Sequence, residues 1–96
     1  MENKIYSTRD LNLASVFITL KFPMESLDFQ VEGEKTVGYM NFKECKEIHE
    51  VEKRYWQGQL AVEPRTFILN MRGLKAQLTN YYKGPRVNMN DFKRKE

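Results

Sequence analysis

Two β-patterned runs meeting at a glycine occupy the centre of the chain. Leu27, Phe29 and Val31 alternate with Asp28, Gln30 and Glu32; Gly33-Glu34 interrupts; Thr36 to Phe42 then resumes with Val37, Tyr39, Met40 and Phe42. Alternation of period two sends the apolar side chains to one face, so residues 27 to 42 predict a β-hairpin. A hairpin alone is marginal in water, and its apolar face has to be covered by helices from the rest of the chain. The chain has 96 residues. That length allows one modest core hiding about 65% of the unfolded surface, and leaves little room for a second core or a deep substrate pocket.

Helix signals flank the hairpin. Ser7-Thr8-Arg9-Asp10 offers a hydroxyl cap with an acid close behind it. Leu11, Ala14 and Ile18, with Leu13, Phe17 and Leu20, then recur at helical spacing as far as Pro23, which predicts a helix near 8 to 20. Asn41 is a candidate cap for a second helix near 43 to 57, with Cys45, Ile48, Val51 or Glu52, and Tyr55 along one side and Gly58 at its end. Glu63-Pro64 opens a third helix near 64 to 82, with proline in the first turn where its missing N–H costs nothing. At about 100° per residue, Phe67, Met71, Leu74, Leu78 and Tyr81 form one apolar stripe, and Arg65, Arg72, Lys75 and Lys83 gather opposite it. Leu69 falls among the cations, either as a tolerated exposed leucine or as a partner contact. Gly73 in mid-helix points to a close helix contact.

The expected fold is α+β. A single small domain over residues 1 to 83 packs the β-hairpin against three helices in the order α-β-β-α-α, with room for a short N-terminal strand at Lys4 to Tyr6. Residues 84 to 96 are expected to form a flexible basic tail.

Composition narrows the chemistry. With 41% hydrophobic and 30% charged residues, the chain reads as folded, with no membrane span. Cys45 and His49 are the sole cysteine and histidine, so neither an intramolecular disulfide nor a zinc cluster is expected, and no cofactor. Together with a charged, polar N-terminus this points to the cytoplasm. His49 lies among Glu47, Glu50 and Glu52, the setting of a surface histidine. No Ser/His/Asp arrangement and no glycine-rich phosphate loop is present, so the chain is expected not to be an enzyme. The net charge is +3 and uneven: residues 1 to 71 carry −2, and residues 72 to 96 carry +5.

A resemblance adds a setting. Ile5-Tyr6-Ser7-Thr8-Arg9-Asp10-Leu11 with Ala14, the run ending Met40-Asn41-Phe42, Tyr55 with Gly58 and Leu60, and Val62-Glu63-Pro64-Arg65-Thr66-Phe67 leading to Leu74-Lys75 resemble a small domain-of-unknown-function family. That family belongs to Gram-positive bacteria, their phages and mobile elements. The resemblance spans roughly residues 4 to 83 and brings no catalytic residues. It implies a phage or mobile-element protein, a setting in which short chains bind DNA or block a host protein.

The leading functional expectation is a nucleic-acid-binding accessory or regulatory protein, with double-stranded DNA favoured. Two consecutive helices with a hairpin nearby could act as a helix-turn-helix with a wing, although the connector is long and the hairpin precedes the helix pair. Arg65, Arg72 and Lys75 would approach phosphates or a groove, and Lys83, Arg86, Lys93, Arg94 and Lys95 would add phosphate contacts. The alternative is a small protein-binding inhibitor of a host defence or replication protein, using Leu69 and the acidic Glu32-Gly33-Glu34. A homodimer is left open.

Overall fold

The structure, a computed structural model, describes residues 4 to 83. Its elements are β1 (Ile5–Thr8), α1 (Leu11–Thr19), β2 (Met24–Glu32), β3 (Lys35–Lys43), α2 (Lys46–Trp56) and α3 (Pro64–Lys83). The α+β architecture agrees with the sequence reading, and β1 adds a third strand. The segment assigned to a basic tail, with Arg86, Lys93, Arg94 and Lys95, lies outside the described residues.

Gly33 stands at φ +68° in the two-residue turn between β2 and β3. That conformation suits the first position of a tight hairpin turn and costs glycine nothing sterically. The sheet is antiparallel in the order β1-β3-β2. Its register pairs Tyr6 with Phe42, Thr8 with Met40, Leu27 with Met40 and Phe29 with Gly38. One face therefore collects Tyr6, Leu27, Phe29, Met40 and Phe42, and a bulge between Met24 and Ser26 brings Met24 in beside them.

α1 lies on that apolar face. Leu13 to Phe17 are five consecutive buried residues, which a helix shows only when it is enclosed on several sides. Ser15 is fully buried, yet its hydroxyl donates to the Leu11 carbonyl at 2.8 Å, and the Thr19 hydroxyl donates to the Ser15 carbonyl at 2.7 Å. The inward hydroxyls are thus satisfied by their own helix. Ile48 of α2 and Leu74 of α3 complete the core, and both outer helices make their main helix contacts with α1. The Asn70 amide donates to the Thr19 hydroxyl at 3.1 Å and ties α3 to the end of α1. Leu78 reaches the sheet at Gly38, where an added Cβ would stand 2.6 Å from Leu78 Cδ2.

Three local expectations are corrected. Ser7 and Thr8 belong to β1, and the cap of α1 is Asp10, whose carboxylate accepts the Leu13 N–H at 3.1 Å while Thr8 Oγ1 accepts the Asp10 N–H at 3.0 Å. Pairing with β3 holds residues 5 to 8 extended, so the helix starts later. Asn41 caps nothing: it sits in the central strand, and Cys45 occupies the cap position of α2 without a side-chain hydrogen bond. Gly73 marks no close contact, because a Cβ built there meets no atom within 4 Å.

These positions separate cleanly in a denaturation experiment. Leu74→Ala should cost about 2 to 5 kcal/mol through lost burial and a cavity, whereas Leu69→Ala should stay within about 0.5 kcal/mol. Gly73→Ala should stabilise the protein by about 0.5 to 1 kcal/mol, since the helix gains propensity without a clash. Urea midpoints for the three variants check all of this, and a neutral Leu74→Ala would mean that the faces of α3 are inverted.

Candidate nucleic-acid interface

α3 begins where Glu63 turns its carboxylate onto the helix start. It accepts the Arg65 N–H at 3.2 Å, the Thr66 N–H at 2.7 Å and the Thr66 hydroxyl at 2.7 Å. These hydrogen bonds, the Thr66 hydroxyl first, favour the ionised form and hold the Glu63 carboxyl below its ordinary range. Pro64 follows as the first helical residue. The helix terminus is thus occupied by the chain's own anion.

The rest of α3 contains no Asp or Glu in 20 residues. At 1.5 Å per residue it runs about 30 Å. Phe67 and Met71 are half-buried, Leu74 is buried and Leu78 half-buried, while Arg65, Arg72 and Lys75 are exposed. None of these three cations has an ion-pair partner among the described residues. Leu69 between them is 59% exposed, and Ile68 is 40% exposed. Lys83 is the last residue of the helix. The structure therefore brings Arg65, Arg72 and Lys75 onto one open helix, with Lys83 at its end.

The expected pairing of α2 with α3 takes a different form. Both helices lean on α1 rather than principally on each other, which is not the packed pair of a helix-turn-helix. The hairpin tip is also poorly suited to a DNA wing. Glu32 there takes the Arg9 guanidinium at 3.3 Å and the Tyr39 hydroxyl at 2.6 Å, and Glu34 adds a second carboxylate. Glu32 accepting that bond, with burial and its negative charge acting in the same direction, raises the Tyr39 pKa against a smaller opposing effect of Arg9. The candidate interface is consequently the outward face of α3 alone.

Other polar clusters are used internally. Asn41, 4% exposed, accepts from the Ser7 hydroxyl and donates to Ser26 Oγ at 2.9 Å and Asp28 Oδ2 at 2.7 Å. This rung crosses all three strands. Its sequence signal was only a set of polar residues at alternating strand positions, so its partners could not be named in advance. His49 lies 3.4 Å from Glu44 and 3.9 Å from Glu52, with its ring edge-on to Tyr6. Burial, followed by the hydrogen bond to Glu52, raises the Tyr6 phenol well above its ordinary range. Phe22, Pro23, Phe42 and Cys45, with Glu25 and Lys43, line a small open cavity of about 150 Å³. No group of three metal-ligating side chains occurs among the described residues, and none of their helices is long and apolar enough to cross a membrane.

No protein-family profile, curated protein or solved structure matches the chain.

The Glu63 cap carries a pH signature. Because its pKa is lowered in the folded state, the cap's stabilisation is present above the ordinary glutamate range and is lost as pH falls through the depressed value. Glu63→Ala should therefore lower the urea midpoint at neutral pH, and the gap to wild type should close in acid. A gap that stays constant would mean the carboxylate charge is irrelevant to the cap.

Proposed function

We propose that the protein is a non-enzymatic duplex-DNA-binding accessory or regulatory factor, and that it binds through the outward face of α3. The observation carrying this reading is a helix of 20 residues without a carboxylate, whose exposed Arg65, Arg72 and Lys75 have no ion-pair partner among the described residues. Uncompensated cations along one element attract a polyanion and release its condensed counterions. The fold keeps them available by anchoring α3 through its opposite side. In this reading Lys83, Arg86, Lys93, Arg94 and Lys95 extend the phosphate contacts along the chain. The resemblance to the phage and mobile-element family supports the same setting.

A second reading rests on Leu69, whose exposure is large for a leucine flanked by cations. It supports a protein-binding inhibitor of a host defence or replication protein. A pull-down with and without nuclease separates the two: loss of the captured material on nuclease treatment favours DNA, and a resistant single protein favours the inhibitor.

For DNA, log affinity should fall linearly with log salt, by about 0.9 per phosphate neutralised. Three to five contacts give a slope of about 2.7 to 4.5. Arg72→Ala or Lys75→Ala should each reduce the slope by about one unit with the fold intact. Fluorescence anisotropy on a short duplex measures it; no binding at low salt, or an undiminished slope in the double variant, would sink the reading.

A further inference from the structure

The solvent side of α3 is not uniformly cationic. With residues about 100° apart around the axis, the line pointing away from the core passes through Leu69, Ala76 and Asn80. Arg65 begins this line, and Gly73 lies beside it. Arg72 flanks it on one side, and Lys75 lies further round on that side, towards Met71. All of these residues except Met71 are exposed. Gly73 meets nothing within 4 Å where a Cβ would stand, so no packing inside the described chain calls for a glycine in mid-helix. With Gly73 and Ala76 both short, the helix backbone is nearly bare there. A surface that must let the backbone come close, while long cations reach out at its side, has this profile.

We propose that this face reads A·T base pairs in the DNA major groove. The Asn80 amide would engage adenine, Leu69 and Ala76 would contact thymine methyl groups, and Arg65, Arg72 and Lys75 would hold the bordering phosphates. The inference rests on the duplex-binding reading above and specifies what that face recognises. The major groove, about 12 Å wide, admits one α-helix. An asparagine amide supplies the paired donor and acceptor that match adenine N6 and N7, and small apolar side chains match the thymine C5-methyl. α3 has no carboxylate to accept from cytosine N4. Of the helix's other amides, Asn70 is already bonded to Thr19, and Gln77, although exposed, lies about 60° round from Asn80 and off this line.

Three duplexes of equal length test this at one salt concentration: A·T pairs only, the same duplex with deoxyuridine replacing thymidine, and G·C pairs only. Wild type should bind the A·T duplex at least about fivefold more tightly than the G·C duplex. Deoxyuridine should remove much of that advantage, because it deletes only the methyl group. Asn80→Ala should shrink the preference while leaving the salt slope and thermal midpoint unchanged, and Lys75→Ala should do the reverse by lowering the slope and keeping the preference. Equal affinity for all three duplexes overturns base reading while leaving duplex binding in place. So does an A·T preference that survives both deoxyuridine and Asn80→Ala, since it would come from groove shape. No binding to any duplex at low salt overturns the duplex reading itself, and this inference with it.

Discussion

The Phe17 ring is the contact on which the rest of the molecule depends. It meets Tyr6 of β1 at 5.5 Å, Phe42 of β3 at 5.1 Å and Phe22 of the connector to β2 at 6.0 Å between centroids, each near edge-to-face. Such pairs contribute about 0.5 to 1.5 kcal/mol each beyond their buried area. More important is what they join: one side chain of α1 meets the first strand, the central strand and the chain entering β2. With α1 so fixed, Ile48 and Leu74 have a surface to pack against, and α2 and α3 acquire their positions through it.

The placement of α3 follows from two anchors. Asn70 binds Thr19 at the end of α1, and Leu78 settles over Gly38, where an added Cβ would collide with it. Leu74 lies between these anchors and is buried. Everything on the other side of the helix is released to solvent, so its cationic character is a property of the surface and makes no demand on the core. The Glu63 cap reinforces this by satisfying the first amides with a carboxylate from the chain itself.

The sheet's second face is organised differently. Asn41 uses both of its amide atoms, taking Ser7 on one side and Ser26 and Asp28 on the other. A buried polar group satisfied in this way is specific to one register, because a slip of one residue would turn Asn41 toward Phe17 and leave its amide unpaired. Arg9, Tyr39 and Glu32 are likewise engaged with one another toward the hairpin tip. Asp28, Glu32 and Arg9 are thus engaged locally, in contrast to the cations of α3.

The sequence by itself determined the hairpin, the three helices and the split of α3 into an apolar and a cationic side. These are local properties: strand alternation, helical spacing and a proline at a helix start are written within a few residues of one another. The exposure of Arg65, Arg72 and Lys75 followed from the same spacing that buried Leu74. Tertiary structure alone decided the roles of Ser7, Thr8, Asn41, Gly38 and Gly73. Ser7 and Thr8 read as a helix cap until pairing with β3 drew them into a strand, and Asn41 read as another until partners 13 to 34 residues away claimed its amide. Gly73 looked like a helix contact, yet the close approach occurs at Gly38, where Leu78 arrives from 40 residues further along. A polar side chain or a glycine carries no mark of its distant partner; only the register of the sheet and the position of α1 supply one.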